Sequence, residues 1–448
     1  MTRQNSFKAR IRQRMQKTGE RYTTARAQLL TSSRNADRDV RATAEQYAGL
    51  LSGYDTFGGI QGETAILRNV FKHAGIIHPA TGKPYSEAML HGLCGGIGFL
   101  YAIFEYKGEL PMLTVVMRSG SMPQTYMTPV FERVGIHPHS SQTTSVKIAD
   151  KALRDAIGEG KPAICVVDVA MLPYHGVPAQ MVGMGPHYVA AVGFDGVQVW
   201  LDDRSMRPCT VTLEQFQEAR RGYKAAKQHL LTIESQDSEV DWQSSLRNAV
   251  GATVRALLEG DVCVPASFRN NCGFAGMEKW RTLLTSKKDK KAWLRVFDAT
   301  DKVYVGLLRA YECIQFEYTA PAAGRAFYAE FLDEAFGLTN QSSLKEASNS
   351  FRKSAAVWQD LTQVIADAPD EALRRGCEIC DLRAELLDSE GSLAIDQIQS
   401  LASEQRSLKD RCTLEGKGAT EVFDAMADCL STILEIEKRA VEQLQVVI

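Results

Sequence analysis

His187, Asp202 and Asp203 stand in an order that can do chemistry. His187 opens the run His-Tyr-Val-Ala-Ala-Val-Gly-Phe, Asp195-Gly196 carries the signal of a two-residue hairpin turn, and Val-Gln-Val-Trp-Leu then leads to the two aspartates. Two adjacent strands would set His187 against one of those acids. Far upstream, glycines 58, 59 and 62 mark a tight loop, and Ile66, Leu67, Val70, Phe71 and Ala74 follow it at helical spacing. A helix that starts at such a loop, followed much later by a histidine-led strand and an aspartate at the end of the next, is the order of a cysteine-peptidase-like site. The chemistry accounts for the order: a nucleophile at a helix N-terminus gains from the helix dipole, a histidine accepts its proton, and an acid orients the imidazole. Each residue also has a plainer reading. A strand-opening histidine can be a buried polar group with its partners satisfied, Asp202 and Asp203 can cap a strand end, and Glu63 suits the first turn of a helix on electrostatic grounds alone.

The elements needed to position these residues can be read in outline. Short β-branched or aromatic runs bounded by turn residues place strands at 113–117, 163–169, 187–194 and 197–201, and a second helix is expected from Ser86, its cap, to Leu93. Gly95-Gly96-Ile97-Gly98 lacks the preceding strand and following lysine of a nucleotide loop and reads as a turn that lets backbones pack closely. The polar stretch 234–241 reads as a linker. Beyond it the pattern is helical: Trp280, Leu283 and Leu284 begin the series, and segments 291–318, 323–336, 343–367, 370–388 and 418–446 continue it. The last has an apolar face, Val422, Phe423, Met426, Leu430, Ile433 and Leu434, that needs a partner helix from this chain or from a second copy. The expected fold class is α+β, with a basic helical arm over 1–50, an α/β domain over 51–235 and an all-α domain over 236–448.

Several motifs carry a family resemblance. Gly62-Glu63-Thr64-Ala65-Ile66-Leu67-Arg68-Asn69, the run from Tyr85 to Tyr101, Leu172-Pro173-Tyr174 and Pro186-His187-Tyr188-Val189 resemble the N-terminal domain of the butirosin biosynthesis protein H family. Gly273-Phe274 with Trp280, the segments 314–319 and 324–335, and Ala356-Val357-Trp358 resemble the helical domain that often follows it. The similarity spans about residues 54–390, and Gly92 to Tyr101 is its most specific part. It implies a papain-like fold, related to the bacteriocin-leader peptidases, and transfer of an aminoacyl or peptidyl group from a carrier-protein thioester to an amine. It assigns His187 as the catalytic histidine and Asp203, followed by Arg204, as the orienting acid.

One departure bears on the mechanism. Where the family shows His-Cys just before the helix, this chain has Gln61-Gly62, so the nucleophile's position falls on a glycine that offers no thiolate. Three readings follow. Another residue takes over, Thr64 or Cys94, although a step of two along a helix turns a side chain by roughly 200° to the other face and Cys94 reads as a packed small residue. Alternatively the amine attacks a bound thioester directly, with His187 as general base and Gln61 with backbone N–H groups of the helix start holding the oxyanion. In the third reading the protein is a non-catalytic binding or regulatory relative. Gly62, Glu63, Thr64, Cys94 and Tyr174 line the expected substrate site. Arg325 and Tyr328, one turn apart on a predicted helix, either reach into it to bind an anion such as a carrier phosphopantetheine or make interdomain contacts.

Composition limits the partners. With 44% hydrophobic and 24% charged residues the chain fits a soluble globular protein, and its length fits two or three domains. No uncharged apolar run approaches the roughly 20 residues that span a bilayer, and the arginine-rich start lacks the apolar stretch of a signal peptide, so no membrane partner and a cytoplasmic location are expected. Residues 1–41 hold nine Arg and two Lys against three acids, a net +8 that leaves −10 on the other 407 residues. There Phe7, Ile11 and Met15 form one helical stripe, Gly19 stops it, and a second short helix follows from Tyr22 to Leu30. The pattern resembles a helix-turn-helix, so nucleic acid is one expected partner of the arm and the acidic body of the chain itself is the other. The ten cysteines are scattered, which reads as reduced thiols, and Cys377 with Cys380 reads as a helix face. His73, His78, His91, His137, His139 and His175 show no metal-ligand spacing, so no metal and no cofactor is expected. An acyl carrier protein and a small-molecule amine are the expected partners of the site.

Overall fold

A computed structural model describes residues 49–448 apart from 121, 238, 262, 263 and 318. The expectations for the arm, its two helices and its contact with nucleic acid, lie outside the described residues. Residues 51–448 make one compact unit. Its first part holds α1 (Gly62–His73), α2 (Glu87–Leu93), the antiparallel pair β1 (Ile97–Phe104) and β2 (Met112–Arg118), and then two short helices, α3 (Pro123–Met127) and α4 (Pro129–Arg133). A second, six-stranded sheet is built from β3 (Ile136–Ser141), β4 (Ala163–Asp168), β5 (Pro186–Phe194), β6 (Gln198–Asp202), β7 (Cys209–Thr212) and β8 (Leu230–Gln236), flanked by α5 (Val146–Gly158) and α6 (Leu213–Gly222). Its order is β3-β8-β4-β5-β6-β7, every pair antiparallel. The second part is helical: α7 (Trp242–Leu258), α8 (Gly273–Thr285), α9 (Trp293–Val296), α10 (Thr300–Gln315), α11 (Arg325–Thr339), α12 (Ser342–Ala366), α13 (Glu371–Glu390), α14 (Ile395–Ser407) and α15 (Gly416–Gln445). The fold is α+β, helices against an antiparallel sheet followed by an all-α region. No helix among the described residues is long and apolar enough to cross a membrane.

Local chemistry explains where the site-bearing elements begin. Gln61 caps α1 by accepting the N–H of Thr64 at 2.9 Å, and Ser86 caps α2 by accepting that of Met89 at 2.9 Å. The turn at Gly95 and Gly96 has φ of +113° and +65°, and a Cβ on Gly96 would lie 2.3 Å from the Tyr328 ring. These glycines therefore do let two parts of the chain approach closely.

Other expectations need correction. The run from Ile97 is strand rather than turn; an unbroken apolar stretch has no periodicity that would reveal it. The β5–β6 turn is a two-residue one, but Gly196 and Val197 occupy it, because Asp195 pairs with Gln198 through an N–H to carbonyl bond of 3.2 Å and its carboxylate accepts the N–H groups of Val197 and Gln198. The expected linker is strand as far as Gln236, where β8 pairs with the edge strand β3. The helical series starts at Trp242, well before Trp280, and α14 interrupts the sequence between α13 and α15. The apolar face of α15 is buried within this chain, where α15 packs on α12 and α8, so that face needs no second copy.

One core joins the two regions. Val167, Tyr174, Val189, Leu201 and Phe216 of the sheet region share a buried cluster with Leu386, Leu387 and Ile398 of α13 and α14. Nine cysteines among the described residues are unpaired thiols, and Cys377 and Cys380 are both buried on α13.

Candidate active site

The site sits where α1 meets the six-stranded sheet. His187 is the second residue of β5, and β6, paired beside it, ends at Asp202, so the next residue, Asp203, is carried under the imidazole. His187 Nε2 lies 2.7 Å from Asp203 Oδ1. Asp203 is held by a tight turn in which the Ser205 N–H donates to the Asp203 carbonyl at 2.7 Å and Arg204 takes φ of +64°. The helical region braces that turn: Met206 N–H donates to the Asp388 carbonyl at 2.7 Å, and Arg204 pairs with the Asp388 carboxylate at 3.1 Å.

A second imidazole shares the same carboxylate. His175 Nε2 lies 2.8 Å from Asp203 Oδ2, and the Tyr174 hydroxyl donates to that oxygen at 2.9 Å. Both residues lie on a 3-10 turn, Pro173–His175, whose His175 carbonyl accepts a 2.8 Å bond from Arg383 of α13. The two imidazole rings meet edge to face, their centroids 4.9 Å apart. Tyr174 was expected at the site and is found on its acid. His175 was not expected, because a contact made across 28 residues of chain leaves no local spacing to read.

The electrostatics follow from this sharing. Burial pushes the His187 pKa down, but the charge and hydrogen bond of Asp203, helped by Glu63, outweigh burial and Arg204 and hold it above the ordinary value. Burial dominates at His175, whose pKa is lowered despite Asp203. Burial raises the Asp203 carboxyl, yet the two imidazoles outweigh it and keep the group well below the usual carboxylate range. Asp202 faces the other way. Its Oδ2 accepts the Tyr54 hydroxyl at 2.6 Å and Asn69 Nδ2 at 2.8 Å, and burial, against those bonds, raises its pKa to about 7.

Gly62 is the first residue of α1 and faces His187. A Cβ built there would meet His187 Cε1 at 3.8 Å, an ordinary contact, and nothing else within 4 Å. With Nε2 committed to Asp203, Nδ1 is the ring nitrogen left free, and it has no hydrogen-bond partner among the described residues. Position 62 is thus where a nucleophile would stand, and its side-chain space is open.

The remaining expected residues are placed as follows. Glu63 adjoins Gly62 and forms a buried ion pair with Arg118 of β2. Gln61 is buried, its Oε1 accepting from Thr64 N and, at 2.8 Å, from Thr64 Oγ1, while its Nε2 donates to Glu63. Its amide is therefore turned into the helix cap and not toward His187. Thr64 is fully buried, its hydroxyl bonded to Gln61 Oε1 at 2.8 Å and Glu87 Oε1 at 3.3 Å. Cys94 is buried at the end of α2, and desolvation drives its thiol pKa far up, the opposite of an activated nucleophile. Arg325 and Tyr328 are completely buried on α11. Arg325 spends its donors on Glu437 (2.8 and 3.0 Å), Met117 O, Ala323 O and Gly98 O, so it makes interdomain contacts and is not brought to the site.

Comparison with known proteins agrees with the motifs. Residues 61–204 match the family model described as butirosin biosynthesis protein H, N-terminal, and residues 212–393 match a domain of unknown function (DUF4872). A putative C39-like peptidase from Bacillus anthracis, among solved structures, is 14% identical over 42% of this chain and 98% of that chain, with a TM-score of 0.29. No curated protein matches the chain.

Proposed function

From a chain whose residues 61–204 form a butirosin biosynthesis protein H N-terminal domain, we propose an acyltransferase that moves an aminoacyl or peptidyl group from a carrier-protein thioester directly to an amine, without a covalent enzyme intermediate. The observation that carries this reading is the His187–Asp203 pair at 2.7 Å beside a Gly62 whose side-chain space is open. The acceptor amine takes the space a cysteine sulfur would fill. Its nitrogen attacks the thioester carbonyl carbon, His187 Nδ1 removes the amine proton, and the tetrahedral intermediate expels the carrier thiolate, which takes that proton back as a thiol. Asp203 holds Nε2–H and stabilises the imidazolium formed in between. Backbone N–H groups at the start of α1, with the helix dipole behind them, receive the oxyanion; Gln61 contributes by fixing that helix start.

A second reading has its own observation. The Gln61 amide is tied to Glu63 and Thr64 and is not offered to the site as an oxyanion donor, which suits a binding protein that keeps the fold without the reaction. Intact-mass analysis separates the two. Wild type, His187→Ala and Gly62→Cys are incubated with acyl-loaded carrier proteins and amines. Direct transfer gives product from wild type with no mass added to the protein, and a loss of about 10²-fold or more in His187→Ala. Gly62→Cys then retains one acyl group. Carrier binding without turnover in wild type, beside an acylated Gly62→Cys, overturns the enzymatic reading in favour of the binding protein.

A further inference from the structure

We propose that His175, His187 and Asp203 form a binding site for one divalent transition-metal ion of the zinc type. The three come from separate parts of the chain, the 3-10 turn after β4, the start of β5 and the turn after β6, yet their ligand atoms all lie within 4.8 Å of one another. A His–Asp pair suffices to orient a general base, so the second imidazole on the other oxygen of the same carboxylate is unexplained by that role. Two imidazole nitrogens and one carboxylate oxygen are the donor set that borderline cations such as Zn2+ prefer, and three protein ligands leave a coordination position open.

Tetrahedral zinc with bonds of about 2.0–2.2 Å sets its ligands roughly 3.3 Å apart. The imidazole nitrogens now lie 2.7 and 2.8 Å from the two different oxygens of Asp203, and one ligand atom from each residue falls within 4.8 Å of the others, so binding asks the two rings to adjust about a single oxygen. Entry is open, because the side chains of His187 and His175 keep 23% and 14% of their exposure. Tyr174 donates to Asp203 and the main chain of His175 is pinned by Arg383, so two of the three ligands are fixed from behind. Asp203 supplies the negative charge; Glu63 adds to it and the Arg204 guanidinium opposes it, each of these two tempered by an ion pair of its own, with Arg118 and with Asp388.

The cation replaces the Nε2 protons, which move to Nδ1 or, where an imidazole is charged, to solvent. On the acyl-transfer reading above, His187 with Nδ1–H cannot take a proton from the amine, so bound metal switches the base off. The site itself does not depend on that reading.

The test uses full-length, chelator-treated protein titrated with Co2+ as a visible probe and then with Zn2+ in competition. One Co2+ per chain, with ligand-field absorption that Zn2+ abolishes, is expected. Affinity should fall by about tenfold or more in His175→Ala and Asp203→Asn and stay as in wild type in His137→Ala, whose ring is exposed on Asp237. Unmutated protein gives a check free of folding defects: zinc should shield His175 and His187 from diethyl pyrocarbonate. Absence of stoichiometric binding, equal affinity in His175→Ala, or unshielded histidines would overturn the site. Zinc sensitivity of transfer, taken relative to each variant's own metal-free rate, is read separately, so a protein that binds zinc but transfers nothing fails the acyl-transfer reading and not this one.

Discussion

Asp202 and Asp203 are neighbours with opposite fates, and the difference is their partners. Asp203 is ionised because two imidazoles and a phenol surround it; Asp202 has only neutral donors, Tyr54 and Asn69, and burial raises its pKa to about 7. Its folded pKa stands above the unfolded one, so the stability it contributes is complete below pH about 4 and is lost as pH rises toward 7. Asp202→Asn removes the ionisation while keeping an oxygen for both donors. Chemical denaturation in the presence of a chelator, run from pH 5 to 8, should show the variant gaining on wild type as pH rises, by about 2–4 kcal/mol at the top. An advantage that does not grow with pH would mean that Asp202 is already ionised in the folded protein across this range and that burial does not raise its pKa. Order along the chain left both acids open as partners of His187, since no pattern separates residues one apart at a strand end, and only the family resemblance named Asp203; the register of β6 on β5 sets which acid meets the imidazole.

At the scale of elements, glycines mark where α2 and β1 press on the helical region. Gly92 lies in α2 against α11, and a Cβ there would fall 2.1 Å from the ring of Phe331, which is fully buried and packs on Tyr328. Gly92→Ala should cost about 1–3 kcal/mol from overpacking, and Phe331→Ala about 3–5 kcal/mol from the cavity it leaves. The double variant should lose clearly less than the sum, since the added methyl occupies part of the vacated space. Urea unfolding of the four proteins checks this, and strict additivity would show that the two residues are not in contact. Elements with caps or periodicity were legible: α1, α2 with its Ser86 cap, β2, β4 and β5 all fall within a few residues of where the sequence sets them. Those that escaped have physical reasons. β1 is apolar throughout, β8 ends in the polar Glu234-Ser235-Gln236 because it pairs there with the edge strand, and Asp195 displaces the hairpin turn by one residue by capping it. The His–Asp pair was legible from order along the chain, while His175 and the braces from Arg383 and Asp388 were not, since each is a contact between distant segments.

The molecule as a whole is tied together through one buried charge pair. Arg325 of α11 and Glu437 of α15 have no solvent exposure, and the guanidinium also reaches the carbonyls of Met117 in β2 and Gly98 in β1. Glu437 in turn accepts from Ser354 Oγ at 2.6 Å and Trp358 Nε1 at 3.0 Å of α12, so five elements of both regions meet at two side chains. A buried pair of this kind adds little net stability over a well-packed apolar core, but leaving one member alone strands a charge in a low-dielectric site. Arg325→Met should therefore cost about 3–5 kcal/mol. Glu437→Gln added to it removes the stranded charge and keeps an oxygen for Ser354 and Trp358, so the double variant should recover a large part of that loss although it carries one more substitution. Because both regions share the pair, Arg325→Met should lower the unfolding transition of sheet and helices together, seen as one shifted transition by tryptophan fluorescence and by far-ultraviolet circular dichroism. Two separated transitions, or a double variant no better than Arg325→Met, would show that the α/β and helical regions stand independently and that this pair does not join them.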